Sequence, residues 1–553
     1  SLIWFSMILF EDFFKNLIVN KPLFYLIILF LPVGVALLFS FLNKNISNDV
    51  FIAILLSTWI AGTIYMSLNG VRFILLLLPA FTVAFGIGLF YICEYINKFF
   101  FGSNYKLDNL FSKKSLPGIL TVMILFIILY VPVFTQANGI SNGTYPNFDD
   151  AWYSSMYKIR DNSSEDAIIT SWWDFGHFFA ITSERGVTFD GGSQTTPRSH
   201  WVGKLLMEND ELKSHDILRM LVCGGNEAHN VMLSKTSGTS ADAVKVNKII
   251  YLTLGKNVDE TRKVLKENVY YDFSESDIDE IMLMLKCDSP SENFLVTSGD
   301  MVGKAGVWAH WGSWDFTRKY VYDNYNLMKV EDMAEKIDGN VSLIDSYVKQ
   351  LKQIDIDSKT KNLKRDDLIN QWLAPYPSYI PLEGKYQYPC VNSNNTLICQ
   401  NSIQIDLENG NIKSGFGEDV TFNRVVFPIS MDEMGEMKID ENGNFDVLLI
   451  PSSNGNYNVM LMQFPLGNSL FTKLYYLNGF GTKQFEKFDD VTSVSGVNVK
   501  VWKTNWDVVE ELPFELDLSS LIGNQTLEFD IDSEDLDLIG EDSNSSDINP
   551  SDN

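Results

Sequence analysis

The residues Ser171–His177 read Ser-Trp-Trp-Asp-Phe-Gly-His, and their types suit the binding of a small polar group. Trp172 and Trp173 offer flat apolar faces with indole N–H donors, and Asp174 offers a hydrogen-bond acceptor. The apolar run Ala167–Thr170 before them predicts a strand, and a helical segment is expected to follow. The pattern indicates a site for a group with both a hydroxyl and a methyl or methylene. The alternative is a buried aromatic corner.

A second set of residues with useful chemistry lies downstream. Asp242, Lys245 and Ile249 stand at offsets of zero, three and seven, which places an acid, a base and an aliphatic side chain on one face of an α-helix. The alternative is ordinary helix chemistry, with Ser240 as the N-cap and Asp242 in the first turn.

Asp300 and Lys304 form a rival to this second set. Their separation of four residues differs from that of the first acid–lysine pair, and glycines at positions 303 and 306 weaken a helix there. We therefore expect Asp300 and Lys304 to be structural.

Composition and charge restrict the class of function. The chain of 553 residues has a formal net charge of −27, which leaves no basic face to neutralise phosphates. Nucleic acid is therefore excluded as a partner. Residues 528–553 are rich in acids and predict a disordered tail.

Long apolar runs dominate the first part of the chain and predict membrane-spanning helices. Lysines between the third and fourth runs place that connection in the cytoplasm, so residues beyond about 136 are expected outside it. Because the chain opens on Ser1 within a short apolar run, we expect a fragment that lacks earlier spans. The four full runs are Leu23–Leu42, Val50–Leu68, Val71–Ile96 and Leu116–Phe134.

Two further regions follow the membrane part. In residues 136–370, short apolar strands alternate with helical patterns, and the run Lys248–Leu254 fits either structure. In residues 371–527, short alternating runs are separated by Asn-Gly turns. The predicted fold class is a multi-span α-helical membrane domain (residues 1–135), then an extracytoplasmic mixed α/β domain, then a β-rich C-terminal domain.

The five cysteines favour disulfides over a metal or redox site. Cys390 and Cys399 bracket a polar stretch and are able to clip a hairpin, and Cys223 is able to pair with Cys287. The chain contains no Cys-x-x-Cys sequence, so neither a zinc site nor a redox motif is expected.

Together the Trp-Trp-Asp corner and the Asp242 set resemble the catalytic subunit of oligosaccharyltransferase, especially its archaeal members. The family's Trp-Trp-Asp-Tyr-Gly signature matches Trp172–Gly176, with Phe175 in place of Tyr. Its helical Asp-x-x-Lys-x-x-x-Met/Ile signature matches Asp242, Lys245 and Ile249. The resemblance covers the chain except its acidic tail and implies a C-terminal portion of a membrane-embedded glycosyltransferase that N-glycosylates asparagine.

The resemblance also implies roles for these residues. The trio Trp172, Trp173 and Asp174 would grip the Ser or Thr hydroxyl of an acceptor polypeptide carrying Asn-x-Ser/Thr. Ile249 would pack on the threonine methyl, and Lys245 would border the same pocket. Asp242 belongs to this acceptor site by position, where it orients Lys245 or caps its helix.

The donor side of the reaction rests on fewer residues. Arg72 stands at the outer end of the third apolar run, and the resemblance implies a contact to the lipid-linked oligosaccharide or to the acceptor. The alternative is an arginine that extends to the membrane surface. The family uses Mg²⁺ or Mn²⁺, whose ligands we expect upstream of Ser1, so this chain is predicted to hold no metal ligand.

The sequence thus predicts transfer of a glycan from a dolichol-phosphate-type carrier to Asn in Asn-x-Ser/Thr, within a membrane and outside the cytoplasm. This segment would supply acceptor binding and part of the donor groove. A function of another class stays open: a non-catalytic, membrane-anchored peptide-binding module.

Overall fold

The structure is a computed structural model, and it describes most of the chain after residue 47. The described residues are 48–101, 116–144, 146–381, 384–393, 395–399, 403–407, 411–413, 420–430, 433–452, 456–494 and 496–507. The chain divides into two compact units, Ser1–Thr144 and Tyr145–Asn553. The predicted span Leu23–Leu42 and the predicted acidic tail lie outside the described residues.

Three helices form the described part of the first unit: α1 (Asn48–Asn69), α2 (Ile74–Phe101) and α3 (Leu116–Asn142). They coincide with the last three predicted spans, so the helical character of those segments is confirmed. Within the ranges that the structure describes, no helix is long and apolar enough to cross a membrane. The membrane-spanning character predicted for these three segments is therefore not found.

The second unit begins with helices and three short parallel strands. Strand β1 (Ile168–Thr170) lies between β2 (Gly186–Val187) and β3 (Asn293–Ser298), and both neighbours run parallel to it. The run Lys248–Leu254, which fitted either structure, falls almost entirely within a helix. The helices are α4 (Asp150–Asp161), α5 (Gly176–Ser183), α6 (Arg198–Met207), α7 (Glu211–Cys223), α8 (Glu227–Ser234), α9 (Ser240–Thr253), α10 (Val258–Glu267), α11 (Glu275–Leu285), α12 (Gly299–Gly303), α13 (Ala305–Gly312), α14 (Phe316–Asn324), α15 (Val330–Lys336), α16 (Val341–Thr360) and α17 (Arg365–Leu373).

A second, mostly antiparallel sheet forms from the part of the chain predicted to be β-rich. Its strand order is β10-β9-β11-β12-β5-β6-β7-β8, with β4 paired to β12. The hairpin β5–β6 is closed by the disulfide Cys390–Cys399, and Cys223 bonds Cys287. These strands are β4 (Tyr379–Ile380), β5 (Tyr388–Ser393), β6 (Thr396–Cys399), β7 (Ile403–Asp406), β8 (Ile412–Lys413), β9 (Phe422–Pro428), β10 (Met434–Lys438), β11 (Phe445–Pro451) and β12 (Tyr457–Gln463).

The chain then returns to the first sheet. After helix α18 (Leu470–Tyr475), strands β13 (Phe485–Thr492) and β14 (Asn498–Thr504) complete the order β13-β14-β3-β1-β2. Every residue of β3 is buried, because a central strand is covered on both faces. Residues from both predicted extracytoplasmic regions therefore build one sheet.

One hydrophobic core joins the helices to the second sheet. Leu205 of α6, Ile249 of α9 and Met460 of β12 belong to the same buried cluster, and each has no exposed surface. Burial of a side chain of this size contributes about 1.5–3 kcal/mol. Shared burial of this kind makes the helices and the second sheet fold as one unit.

Two glycines let α6 and α13 pack backbone to backbone. A Cβ on Gly312 would lie 2.5 Å from the carbonyl oxygen of Gly203 and 2.6 Å from the amide nitrogen of Lys204. Backbone atoms are unable to yield as a flexible side chain would, so neither glycine tolerates a larger residue. This contact fixes the position of α13.

We predict that Gly312→Ala lowers the free energy of unfolding by about 2 kcal/mol, since overpacking typically costs about 1–3 kcal/mol. Gly303→Ala is the matched control: nothing lies within 4 Å of its Cβ position, and Ala is the better helix former. Urea denaturation of both variants measures the difference. Equal stability of the two variants would contradict the close packing of α6 on α13.

Candidate functional site

The candidate site lies where three parallel strands end. Strands β2, β1 and β3 are neighbours and run in the same direction, so their carboxyl ends meet at one edge of the sheet. The chain leaves β1 into Trp172–Asp174 and leaves β3 into Gly299–Lys304. In open α/β sheets ligands bind at this edge. Two segments that are far apart in sequence are thereby brought side by side.

The tryptophans occupy different environments. Trp172 is 3% exposed and packs edge-to-face on Phe189, with ring centroids 5.3 Å apart. Trp173 and Asp174 lie in a 3₁₀ turn, Trp173–Phe175, and both are partly exposed. Trp172 therefore fits the alternative of a buried aromatic corner. Trp173 and Asp174 present surface to a ligand.

A glycine sets the angle at which the chain leaves this turn. A Cβ on Gly176 would lie 2.8 Å from the Cα atom of Asp190, in the loop after β2. Only glycine permits this approach between the start of α5 and that loop. Gly176 therefore holds the 3₁₀ turn against the carboxyl end of β2.

Lys304 joins two carboxylates at the site. Its Nζ lies 3.2 Å from Oδ1 of Asp174 and 2.9 Å from Oδ2 of Asp300. The hydroxyl of Ser298 donates to Oδ1 of Asp300. Burial alone would lower the pKa of Lys304, but its hydrogen bond to Asp300 and the two carboxylate charges outweigh burial and raise that pKa. The lysine is thus held charged between the ends of β1 and β3.

Sequence reasoning missed this lysine. Asp300 and Lys304 were expected to be structural because their spacing departs from the family signature. Their contact with Asp174 depends on β3 lying beside β1 in parallel register, which pairs Thr170 with Leu295. The one sequence signal is that each acid comes within four residues of an apolar, strand-like run, which does not say that the two runs pair.

Asp242 caps its own helix. Its carboxylate accepts hydrogen bonds from the backbone N–H of Thr239 at 2.9 Å and from the Thr239 hydroxyl at 2.8 Å. The hydroxyl of Tyr271 donates to its other oxygen at 2.7 Å. Burial would raise the pKa of Asp242, but these hydrogen bonds and the charge of Lys245 lower it. The capping box places Thr239, where the sequence suggested Ser240, at the N-cap.

Lys245 and Ile249 are placed differently from each other. Lys245 is partly exposed, and its Nζ lies 5.9 Å from the ring centroid of Tyr270. Ile249 has no exposed surface and belongs to the same buried cluster as Trp172. As placed, Ile249 is part of the hydrophobic core. The roles at an acceptor that the resemblance implied for both residues stay predictions.

Arg72 belongs to the first unit. It lies in a 3₁₀ turn, Val71–Phe73, between α1 and α2, and it is exposed. Its guanidinium carbon lies 5.5 Å from the ring centroid of Phe73. The predicted contact of Arg72 with a lipid-linked donor or an acceptor stays a prediction.

The described residues do not fit a divalent metal. Among them, no three His, Cys, Asp or Glu side chains are grouped to hold a metal ion. The two carboxylates at the site both pair with Lys304, so the charge that balances them comes from the protein itself. The Mg²⁺ or Mn²⁺ implied by the resemblance stays a prediction.

Two curated relatives match about half of the chain. The dolichyl-phosphooligosaccharide-protein glycotransferase of Methanococcus voltae is 26% identical over 336 residues, which cover 49% of this chain and 36% of the relative. The protein of the same name from Methanocaldococcus jannaschii is 26% identical over 340 residues, 51% of this chain and 36% of the relative. The chain is a homologue of these glycotransferases. Its resemblance to oligosaccharyltransferases is confirmed.

Other comparisons add less. Dolichyl-phosphooligosaccharide-protein glycotransferase 2 of Pyrococcus horikoshii is 27% identical over 147 residues, 26% of this chain and 18% of the relative. The C-terminal domain of PglB from C. jejuni aligns with 64% of this chain and 98% of that domain, at a TM-score of 0.29 and 13% identity, which establishes no shared fold. No protein-family model matches the chain. The chain spans about a third of the length of the first two relatives, 36% of each.

We predict that Asp242→Asn lowers the free energy of unfolding by about 1 kcal/mol, the typical cost of losing a helix cap. Because the pKa of Asp242 is lowered on folding, its contribution is present above the ordinary aspartate pKa and is lost as pH falls through the lowered value. Urea denaturation of wild type and variant at several pH values measures both effects.

Asp277→Asn is the matched control, because Asp277 occupies the same position in the capping box of α11. If Asp242 acts as a cap, neither substitution changes the affinity for an acceptor peptide. Weaker peptide binding by Asp242→Asn than by Asp277→Asn would instead place Asp242 in the acceptor site.

Proposed function

We propose that this chain is part of an oligosaccharyltransferase and binds the acceptor polypeptide at Trp173, Asp174 and Lys304. The proposal rests on the contact of Lys304 with Asp174 at the carboxyl edge of the parallel strands. Asp174 belongs to the motif that resembles the family signature. Homology to named glycotransferases supports the reaction class. The match covers 36% of each relative. The activity of the whole protein is therefore also part of the proposal.

The partly exposed carboxylate of Asp174 is suited to accept a hydrogen bond from the Ser or Thr hydroxyl of Asn-x-Ser/Thr. Lys304 holds one oxygen of that carboxylate, which leaves the other lone pairs for a ligand. The exposed part of the Trp173 ring offers an apolar wall beside it. A site that pairs with a hydroxyl rejects acceptors that lack one, because its polar groups then lose their partner.

The donor in this proposal is an oligosaccharide on a dolichol-phosphate-type lipid carrier. A dolichyl chain is apolar, so transfer takes place at a membrane. The helices of the first unit expose large apolar side chains, among them Leu75 at 70% and Phe99 at 74%. We further propose that Arg72 contacts the donor phosphate or the acceptor, and that Mg²⁺ or Mn²⁺ is bound by residues outside the described part of the chain.

We place the acceptor site outside the cytoplasm. Both disulfides lie in the second unit, and disulfides persist in oxidising compartments. Lysines in the connection before α3 favour the cytoplasm for that loop, which sends the second unit to the other side.

A non-catalytic peptide-binding module is the second candidate function. It needs only the partly exposed Trp173 and Asp174 as a surface for a peptide. Transfer of glycan from a lipid-linked donor to a peptide, assayed with the gene product in its native membrane, separates the two candidates. Peptide binding without transfer would favour the module.

We predict that Asp174→Asn weakens binding of an Asn-Ala-Thr peptide by about ten- to a hundredfold, since a hydrogen bond to a charged group contributes about 1.5–3 kcal/mol. Fluorescence anisotropy with a labelled peptide measures the dissociation constant. The control peptide Asn-Ala-Ala lacks the hydroxyl and is expected to bind wild type and variant equally weakly. Unchanged discrimination between the two peptides in Asp174→Asn would refute the proposal.

We predict opposite effects on peptide discrimination for substitutions of Lys304 and of Lys245. Lys304→Ala is expected to reduce discrimination between the two peptides about tenfold, because Asp174 loses the ammonium that orients it, and Lys304→Arg is expected to restore most of it. Lys245→Ala is the matched lysine control and should leave the discrimination intact. The reverse result, with Lys245→Ala impaired and Lys304→Ala normal, would move the acceptor site to α9.

A further inference from the structure

An exposed stripe runs along α13 away from the candidate acceptor site. Lys304 immediately precedes the helix, and Val307 and Trp311, four residues apart within it, share one face. Val307 is 48% exposed and Trp311 is 37% exposed. The opposite face, which includes Ala309, is buried in the core. The stripe thus begins at the lysine that holds Asp174.

The far end of the stripe is an aromatic cluster. The rings of Trp311 and Trp314 are stacked, with centroids 5.4 Å apart. Tyr376 stacks on the buried His310 at 3.9 Å with an interplanar angle of 7° and stays 43% exposed. Tyr376 also borders α13, since a Cβ on Gly306 would lie 3.8 Å from its carbonyl oxygen. The cluster therefore presents aromatic surface beside the stripe.

The spacing along the stripe matches a short length of polypeptide. Trp311 lies seven positions after Lys304 along the chain, which at about 1.5 Å per helical residue amounts to about 10 Å. An extended peptide advances about 3.3–3.6 Å per residue, so about three residues cover the same distance. An acceptor held at Asp174 therefore has its neighbouring residues within reach of the aromatic cluster.

We propose that Val307, Trp311, Trp314 and Tyr376 form a second subsite for the acceptor polypeptide. It takes an apolar or aromatic side chain about three residues away from the Ser or Thr of the acceptor. The inference rests on the proposed function, because the position of the hydroxyl at Asp174 sets the origin of the distance. A polypeptide is the occupant because the stripe is continuous with the acceptor carboxylate.

Chemistry favours an apolar or aromatic side chain at this place. Exposed indole and phenol rings gain free energy when an apolar group covers them, and aromatic pairs add an edge-to-face or offset contact. Val307 extends the apolar surface toward Lys304, and it carries no group that requires a polar partner. A charged acceptor side chain would lose water on covering these rings.

The test uses the full 553-residue chain and a set of labelled peptides with one Asn-Ala-Thr each. A phenylalanine is placed in turn at two, three and four residues on either side of the threonine, with serine as its replacement in the reference peptide. We expect one position, about three residues away, to raise affinity about tenfold over the serine peptide in fluorescence anisotropy. Trp311→Ala and Tyr376→Ala are expected to bring this phenylalanine-to-serine ratio close to one.

Leu327→Ala is the control variant, since Leu327 is an apolar side chain of the second unit that is 79% exposed outside the cluster. We expect Leu327→Ala to keep the wild-type phenylalanine-to-serine ratio of peptide affinities. If Trp311→Ala does not fold, as judged by circular dichroism, Val307→Glu at an exposed position carries the test and is expected to abolish the ratio too.

Two outcomes separate this inference from the proposed function. A ratio near one at every position in wild type, with threonine still preferred to alanine, overturns the subsite and leaves the acceptor site intact. Loss of the threonine preference in wild type overturns the proposed function itself. A ratio that persists in Trp311→Ala, Tyr376→Ala and Val307→Glu shows that phenylalanine binds elsewhere and also overturns the subsite.

Discussion

The geometry of the candidate site depends on one ammonium group between two carboxylates. Lys304 reaches Asp174 at 3.2 Å and Asp300 at 2.9 Å, and these acids follow two neighbouring strands. All three side chains are a quarter to a third exposed, so water screens each pair and its contribution to stability is about 0–1 kcal/mol. What the lysine supplies is position: it fixes the turn after β1 relative to the helices after β3.

The strands that carry this arrangement owe their order to distant parts of the chain. β3 pairs on one side with β1 and on the other with β14, which comes from residues near the end of the second unit. The intervening sheet of β4–β12 packs into the same core as α6 and α9, through residues such as Leu205 and Met460. The sheet edge that precedes Asp174 is therefore supported by both sheets.

The two acid–lysine pairs show how the same residue types acquire different tasks. The carboxylate oxygens of Asp242 accept hydrogen bonds from Thr239 and from Tyr271. Asp174 has Lys304 as its ion-pair partner and keeps exposed surface at a sheet edge. The difference follows from location, because a carboxylate in the first turn of a helix meets unsatisfied backbone N–H groups, whereas one at the end of a parallel strand faces the crevice.

The sequence by itself determined the family resemblance, the strand before Trp172 and the helical segments of the first unit, and it allowed both disulfide pairs. The strand and the helical segments are local features, and the resemblance depends on motifs whose residues are close in sequence. The tertiary structure decided which acid and lysine meet at the tryptophan corner, that Trp172 and Ile249 lie in the core, and that β13 and β14 complete the first sheet. Strand order brings together residues more than a hundred positions apart, and no local pattern encodes that pairing. For this reason Lys304, and not Lys245, stands beside Asp174.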